Sequence, residues 1–297
     1  MSTPDDSIPV EFYGLRRGTV TALTCLCVLF AAFTLVPIVW LIINSTKTQA
    51  NIFQSFGFWF ASPFEFFHTF ANLFRDIDGN GTYARWFLNT VLYSVTGGVG
   101  ATVLAALGGY GFARFRFRGS RVLFALVIAG LLVPITLVAV PLYLAYAKVH
   151  LINSAWGMIL PSMVVPVGLY LMRTYVELSI PPELLDAARI DGAGEVRIFF
   201  RVALPLMIPG LMTVLLLAVA GTWNNYILPL IIFSNNNLFP ATVGMGLWSQ
   251  HATTSGDNNL YPLLVLGGLV TIVPMIVLFA VLQRYWRGGM LLGSVAN

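Results

Sequence analysis

Charge is what this chain has least of. Only 9% of its 297 residues are charged, against 58% hydrophobic, where an ordinary soluble domain carries about 25% charged residues. That deficit excludes a free-standing water-soluble fold. Lysine occurs only at Lys47 and Lys148, and neither stands in the Gly-x-x-x-x-Gly-Lys-Ser/Thr setting that cradles nucleotide phosphates, so no ATPase is expected within the chain. Cysteine is confined to Cys25 and Cys27, which a two-residue helical offset turns roughly 200° apart. Neither a disulfide nor a metal site follows from them. His68, His150 and His251 are isolated, without zinc-type spacing and without a Gly-x-Ser-x-Gly nucleophile turn. Catalytic residues and metal ligands are expected to be none.

Carboxylates are scarce as well. Asp5, Asp6, Glu11, Glu65, Asp76, Asp78, Glu177, Glu183, Asp186, Asp191, Glu195 and Asp257 all fall outside the long apolar stretches. Ion- and proton-coupled carriers generally use ionisable residues inside the membrane, and the spans supply none. Helix-end carbonyls could still hold sodium, so an ion-coupled secondary carrier stays as the alternative reading.

What the chain does have is apolar length. About 20 apolar residues cross a bilayer core as a helix, and six stretches qualify, near Val20–Asn44, Phe87–Ala113, Val122–Tyr146, Ala155–Tyr175, Leu206–Phe233 and Tyr261–Tyr285. The fold class is therefore all-α integral membrane, with six transmembrane helices. Basic residues flanking spans stay on the cytoplasmic side. With both termini cytoplasmic, Arg16, Arg17, Arg114, Arg116, Arg118, Arg121, Arg173, Arg189, Arg197, Arg201, Arg284 and Arg287 lie inside, and only Lys47, Arg75, Arg85 and Lys148 outside. Topology thus explains the +4 balance and leaves nucleic acid as no partner. The expected organisation is a cytoplasmic N-terminus (1–19), a retained first span (20–44), an external aromatic-rich segment (45–86), a five-span core (87–285) containing a cytoplasmic loop (177–205), and a cytoplasmic tail (286–297).

The external segment carries Phe53, Phe56, Phe58, Trp59, Phe60, Phe64, Phe66, Phe67, Phe70 and Phe74. Such rings suit a membrane–water interface, or else a surface that receives a soluble delivery protein. Arg114-Phe115-Arg116-Phe117-Arg118-Gly119-Ser120-Arg121 reads as a tight cytoplasmic turn with its arginines against anionic headgroups, making lipid a partner. Glycines at 97, 98, 100, 108, 109 and 111 let helix backbones approach closely in lipid. Pro134, Pro141, Pro161 and Pro166 predict kinks.

The polar stretch after the fourth span is the most informative. Pro181 and Pro182 followed by Glu183 suit a helix's first turn, Leu184, Ala187, Ala188 and Asp191 share a face, Asp186 can pair with Arg189, and Gly192 can take a left-handed helix end. A short helix is predicted, leading through Val202, Leu204 and Pro205 directly into the fifth span. Counted from Asp186, the order is Asp-Ala-Ala, three residues, Gly192, nine residues, Val202, one residue, Leu204-Pro205. It resembles the cytoplasmic docking loop of permease subunits in binding-protein-dependent ABC importers, with Asp186 for the family's Glu and Val202 for its Ile. The resemblance implies that Glu183, Asp186, Ala187, Ala188, Asp191, Gly192, Val202, Leu204 and Pro205 couple the chain to a separate ATPase, which would bind ATP and Mg, so the chain itself would be no enzyme and hold no cofactor. Implied partners are a homologous permease, two ATPase subunits and an extracytoplasmic sugar-binding protein, in a bacterial inner membrane.

Phe112 to Gly119, Val133-Pro134 through Pro141-Leu142-Tyr143, and Ile180 to Leu184 look like the maltose-type sugar permeases, the six-span second permease in particular. Trp223-Asn224-Asn225-Tyr226 with Pro229-Leu230 is similar to that branch's Trp-Asn-acidic-aromatic element, Asn225 replacing the acidic residue. Trp223, Asn224 and Asn225 become candidates for the substrate path, for a disaccharide or oligosaccharide, with glycerol-phosphate-type substrates also open; interhelical hydrogen bonding is the plainer role for them. The tail from Gly288 to Asn297 resembles the family's C-terminus, which implies contact with the ATPase pair.

Overall fold

The computed structural model describes residues 17–75, 83–254 and 260–293, and these are helical with no strand among them. The expectations for residues 1–16 and for the last four residues of the tail lie outside the described residues. In chain order the helices are α1 (Arg17–Asn44), α2 (Gln49–Gln54), α3 (Phe66–Leu73), α4 (Tyr83–Arg114), α5 (Ser120–Ala129), α6 (Ile135–Lys148), α7 (Ala155–Ser162), α8 (Pro166–Ser179), α9 (Pro182–Ile190), α10 (Glu195–Ile198), α11 (Leu204–Trp223), α12 (Ile227–Ile232), α13 (Ala241–Thr254) and α14 (Leu260–Gly293).

Among the described residues, five stretches are long and apolar enough to cross a bilayer: Gly18–Asn44, Tyr83–Arg114, Ala155–Ser179, Glu195–Trp223 and Leu260–Tyr285. The expected third span is not one helix. Ser120–Leu132 and Leu137–Lys148 meet at 112°, because Pro134 has no N–H to give a continuing helix and pushes Val133 into an extended conformation (ψ 111°). Each half falls short of the about 20 residues a span requires, so the count is five, or six if the bent pair crosses as one. The fifth span also ends sooner than expected, at Trp223 instead of Phe233. Glu177 and Glu195 stand at the ends of spanning helices and not in their middles.

Helix α4 is the centre of the bundle, packed against α7, α8, α11 and α13. Its glycines make that possible: a Cβ on Gly97 would lie 2.6 Å from Ser162 Cβ, and one on Gly109 2.5 Å from Met172 Cβ. In lipid, where packing and not transfer from water draws helices together, such closeness is the main attraction. Two apolar cores sit along α4. One gathers Tyr83, Trp86 and Tyr93 with Met158, Ile232, Trp248 and Leu266; the other gathers Ala105 and Tyr110 with Met172, Ile180, Leu185, Ile198 and Met207.

Helix α1 is almost wholly exposed and packs mainly along α14. After it, the aromatic segment folds into α2 and α3 and presents Phe56, Trp59 and Phe67 as bare rings. Lys47, expected merely to lie outside, is buried, its Nζ donating to Phe56 O at 3.0 Å. Burial pushes its ammonium pKa down. Asn44 Nδ2 reaches Gly57 O at 2.8 Å beside it, so the two side chains tie the segment back onto the end of α1.

Candidate functional site: a rigid polar helix between two spans

Helix α9 starts at Pro182, with Pro181 as its extended N-cap and Glu183 in the first turn, where absent N–H groups cost nothing and negative charge suits the dipole. It ends in a Schellman arrangement. Ala193 N donates to Ala188 O and Gly192 N to Arg189 O, each at 3.0 Å, and Gly192 adopts φ +80°, the left-handed geometry that glycine alone enters without steric cost.

The exposed side chains of this segment are clamped together. Arg189 donates to Asp186 Oδ1 at 2.6 Å and, through Nε and Nη2, to both oxygens of Glu195 at 2.7 and 3.3 Å. First the Glu195 hydrogen bonds and then that of Asp186 raise the already high pKa of its guanidinium. The expected Asp186–Arg189 pair is therefore present, and Glu195, which sequence reasoning left out of the site, extends it across the turn into α10.

Helix α9 is a wedge. Leu185 is 1% exposed in the second core, and Ala188, expected on the open face, is half-buried and packs inward beside it. The reason is spacing: positions 185 and 188 share the inner face, while 184, 187 and 191 turn outward. Ile190 joins that outer face at 88% exposure. Sequence reasoning missed it, although an isoleucine continuing the 184–187 stripe was the available signal.

Beyond α10 the chain makes one π turn, Phe199–Ala203, before α11. Pro205 has no N–H to return to Arg201 O, and Leu204 N instead reaches Phe199 O. Val202 and Leu204 are half-buried against the second core, whereas Pro205 is exposed. The α9 loop and α11 are thus one continuous, packed piece.

The second candidate cluster lies at the far end of α11. Trp223 is buried, its ring at right angles to Phe87 with centroids 6.1 Å apart. Asn224 is exposed and donates to Ala220 O at 2.8 Å. Asn225 Oδ1 accepts from Leu228 N at 3.2 Å, capping α12, and its carbonyl accepts from Thr242 Oγ1 at 2.9 Å. These residues stand at a break between two helices, not inside one. Tyr226, the aromatic of the sequence element, packs over Gly246 and belongs to the same cluster, as does Thr242, which sequence reasoning did not single out.

The family follows from residues 98–290, which match the binding-protein-dependent transport system inner membrane component family; the chain belongs to that family. It is a multi-pass protein of the bacterial inner membrane. Among its relatives, the arabinooligosaccharides transport system permease protein of Bacillus subtilis is 31% identical over 92% of this chain and 95% of its own length. The protein of the same description from Halalkalibacterium halodurans is 36% identical over 72% and 75%. A diacetylchitobiose uptake system permease protein of Streptomyces coelicolor is 30% identical over 91% and 86%. The fold is shared with a chain of a bacterial ABC transporter involved in the import of the acidic polysaccharide alginate, at a TM-score of 0.74 and 24% identity over 92% of this chain and 99% of that one.

Proposed function

We propose that this chain is one permease half of an ATP-driven importer that carries a disaccharide or oligosaccharide across the inner membrane. It pairs with a homologous permease, receives sugar from an extracytoplasmic binding protein, and is driven by two ATPase subunits that bind ATP and Mg. Both termini and α9 face the cytoplasm, and the chain has no catalytic role of its own.

One observation supports the ATPase assignment above the rest: α9 is anchored by Leu185, tied to α10 through Arg189, and turns Leu184, Ala187 and Ile190 outward among charged neighbours. Bare apolar side chains on a polar loop mark a protein interface. A partner that grips this face moves α9 as a unit, and the packed π turn passes the movement to α11. Glu183 and Asp191 edge the face with negative charge. The sugar class is supported by the relatives' substrates and by the open amide atoms of Asn224 and Asn225 at the α11 break, groups that suit hydroxyl-rich ligands.

The test is co-purification from native membrane with uptake of labelled oligosaccharide. A nucleotide-binding subunit in the particle, with uptake that stops on ATP depletion and survives collapse of ion gradients, is expected. Uptake that survives ATP depletion and collapses with the gradient would make the chain an ion-coupled carrier.

A further inference from the structure

Helix α4 is gripped at both ends by parts of the chain that the proposed transport cycle must coordinate. Near α9, Arg114 Nη2 donates to Val176 O at 2.8 Å and to Ile180 O. Ile180 is where α8 stops: its N–H still reaches Val176 O at 3.3 Å, while Leu184 N turns to Pro181 O instead of Ile180 O, so the C-terminal carbonyls have acceptor capacity left for an outside donor. A guanidinium suits them, because it is positive at the negative end of a helix and presents several donors in one plane. One turn back on α4, Tyr110 sets its ring edge-on to Phe199 at 5.1 Å, the first residue of the π turn. Arg114 holds the chain just before α9, and Tyr110 holds it just after.

At the opposite end, α4 holds a different loop. Trp86 Nε1 donates to Asn236 O at 3.1 Å, Asn89 Nδ2 to Asn237 O at 2.8 Å and Phe239 O at 3.0 Å, and Tyr93 OH to Leu238 O at 3.0 Å. Thr90 Oγ1 accepts from Ala241 N at 2.8 Å. Helix α4 runs its whole length without a proline, and from Trp86 to Arg114 it rises about 42 Å at 1.5 Å per residue.

We propose that α4 is the rod that carries the movement of α9 across the membrane to the 236–239 turn, with Arg114 the positioning residue of its near grip. The inference rests on reading α9 as the docking helix. Chain continuity ties α9 only to α8 and α11; the two clamps add α4, and with it a loop on the other face of the membrane. That gives the outer surface a direct mechanical view of the ATPase's nucleotide state.

The test uses the full assembled complex with Cys25→Ala and Cys27→Ala. Asn237→Cys reports on the outer turn, since Asn237 is exposed and α4 bonds only its backbone carbonyl. Ile190→Cys reports on docking, by cross-linking to the ATPase. With Arg114 intact, the maleimide labelling rate at position 237 should differ by about fivefold between nucleotide-free and ATP-vanadate states, a typical coupling between distant sites. Arg114→Ala should abolish that difference and Arg114→Lys restore part of it, while the thiol at position 190 still cross-links in each. An undiminished difference in Arg114→Ala, or none in the parent with cross-linking intact, overturns the proposal. If Arg114→Ala does not assemble, Asn89→Ala at the far grip decides in the same way. Absence of the cross-link in the parent instead refutes the docking reading itself, and the rod with it.

Discussion

The bundle is interrupted by polar residues at the α9 loop and again at the 224–226 break, and the two are built differently. Around α9 the polar groups are charged and exposed, and Arg189 bonds Asp186 and Glu195 at once, which ties α9 to the start of α10 and leaves the apolar side chains of α9 as the surface that wants a partner. At the break the polar groups are neutral amides, each half-used: Asn225 caps α12 through Oδ1, Asn224 bonds back to Ala220 through Nδ2. In the function proposed above, spare hydrogen-bonding capacity suits the passage of a hydroxylated ligand, and the tied loop suits gripping.

Five substitutions break or sharpen that contrast. Gly192→Pro should have the largest effect. Proline's φ near −65° cannot match +80°, and the Gly192 N–H bond to Arg189 O is lost with it. Membrane insertion should persist while uptake falls by more than about tenfold; normal uptake and sugar-dependent ATPase in this variant would count heavily against a stiff gripping loop. Ile190→Asp comes next, at a side chain that touches little within the chain. Thermal stability should stay within about 0.5 kcal/mol, whereas ATPase association, followed by co-purification, should drop about tenfold as for the loss of an interface anchor.

Arg189→Gln should be milder. The ion pairs it removes are solvent-exposed, which limits the loss of uptake to about fivefold or less, with faster amide exchange over residues 191–195 as the structural readout. The smallest effects belong to the break. Asn225→Ala removes a cap and should cost about 1 kcal/mol in a melting experiment, while Asn224→Ala should leave stability unchanged. If uptake and sugar preference both survive the two alanine variants, the amides serve packing alone and the contrast between gripping and passage fails at this end.

The α9 loop was legible because its signals are local: Pro-Pro-Glu to open the helix, Asp186 and Arg189 one turn apart, glycine at the left-handed position. Its inner face was less so, since Ala188 turns toward a core that the packing of α4, α8, α10 and α11 creates. The break at 224 was hidden in an apolar run from Leu206 to Phe233, and it forms because Thr242, from a helix not anticipated at 241–254, takes the Asn225 carbonyl. Pro134 announced a kink, but nothing near it in sequence gave the 112° turn between α5 and α6. Arg114 looked like one more headgroup-facing arginine until the C-terminal carbonyls of α8 lay beside it.

Whether an ATPase holds α9 from the cytoplasm is read out by cross-linking at Ala187→Cys in native membrane, on the Cys25→Ala and Cys27→Ala background. A covalent adduct with a nucleotide-binding subunit, lost on Gly192→Pro, is the predicted result. Labelling of that thiol by an impermeant reagent from outside the cell, or active uptake with no ATPase adduct at all, would contradict it.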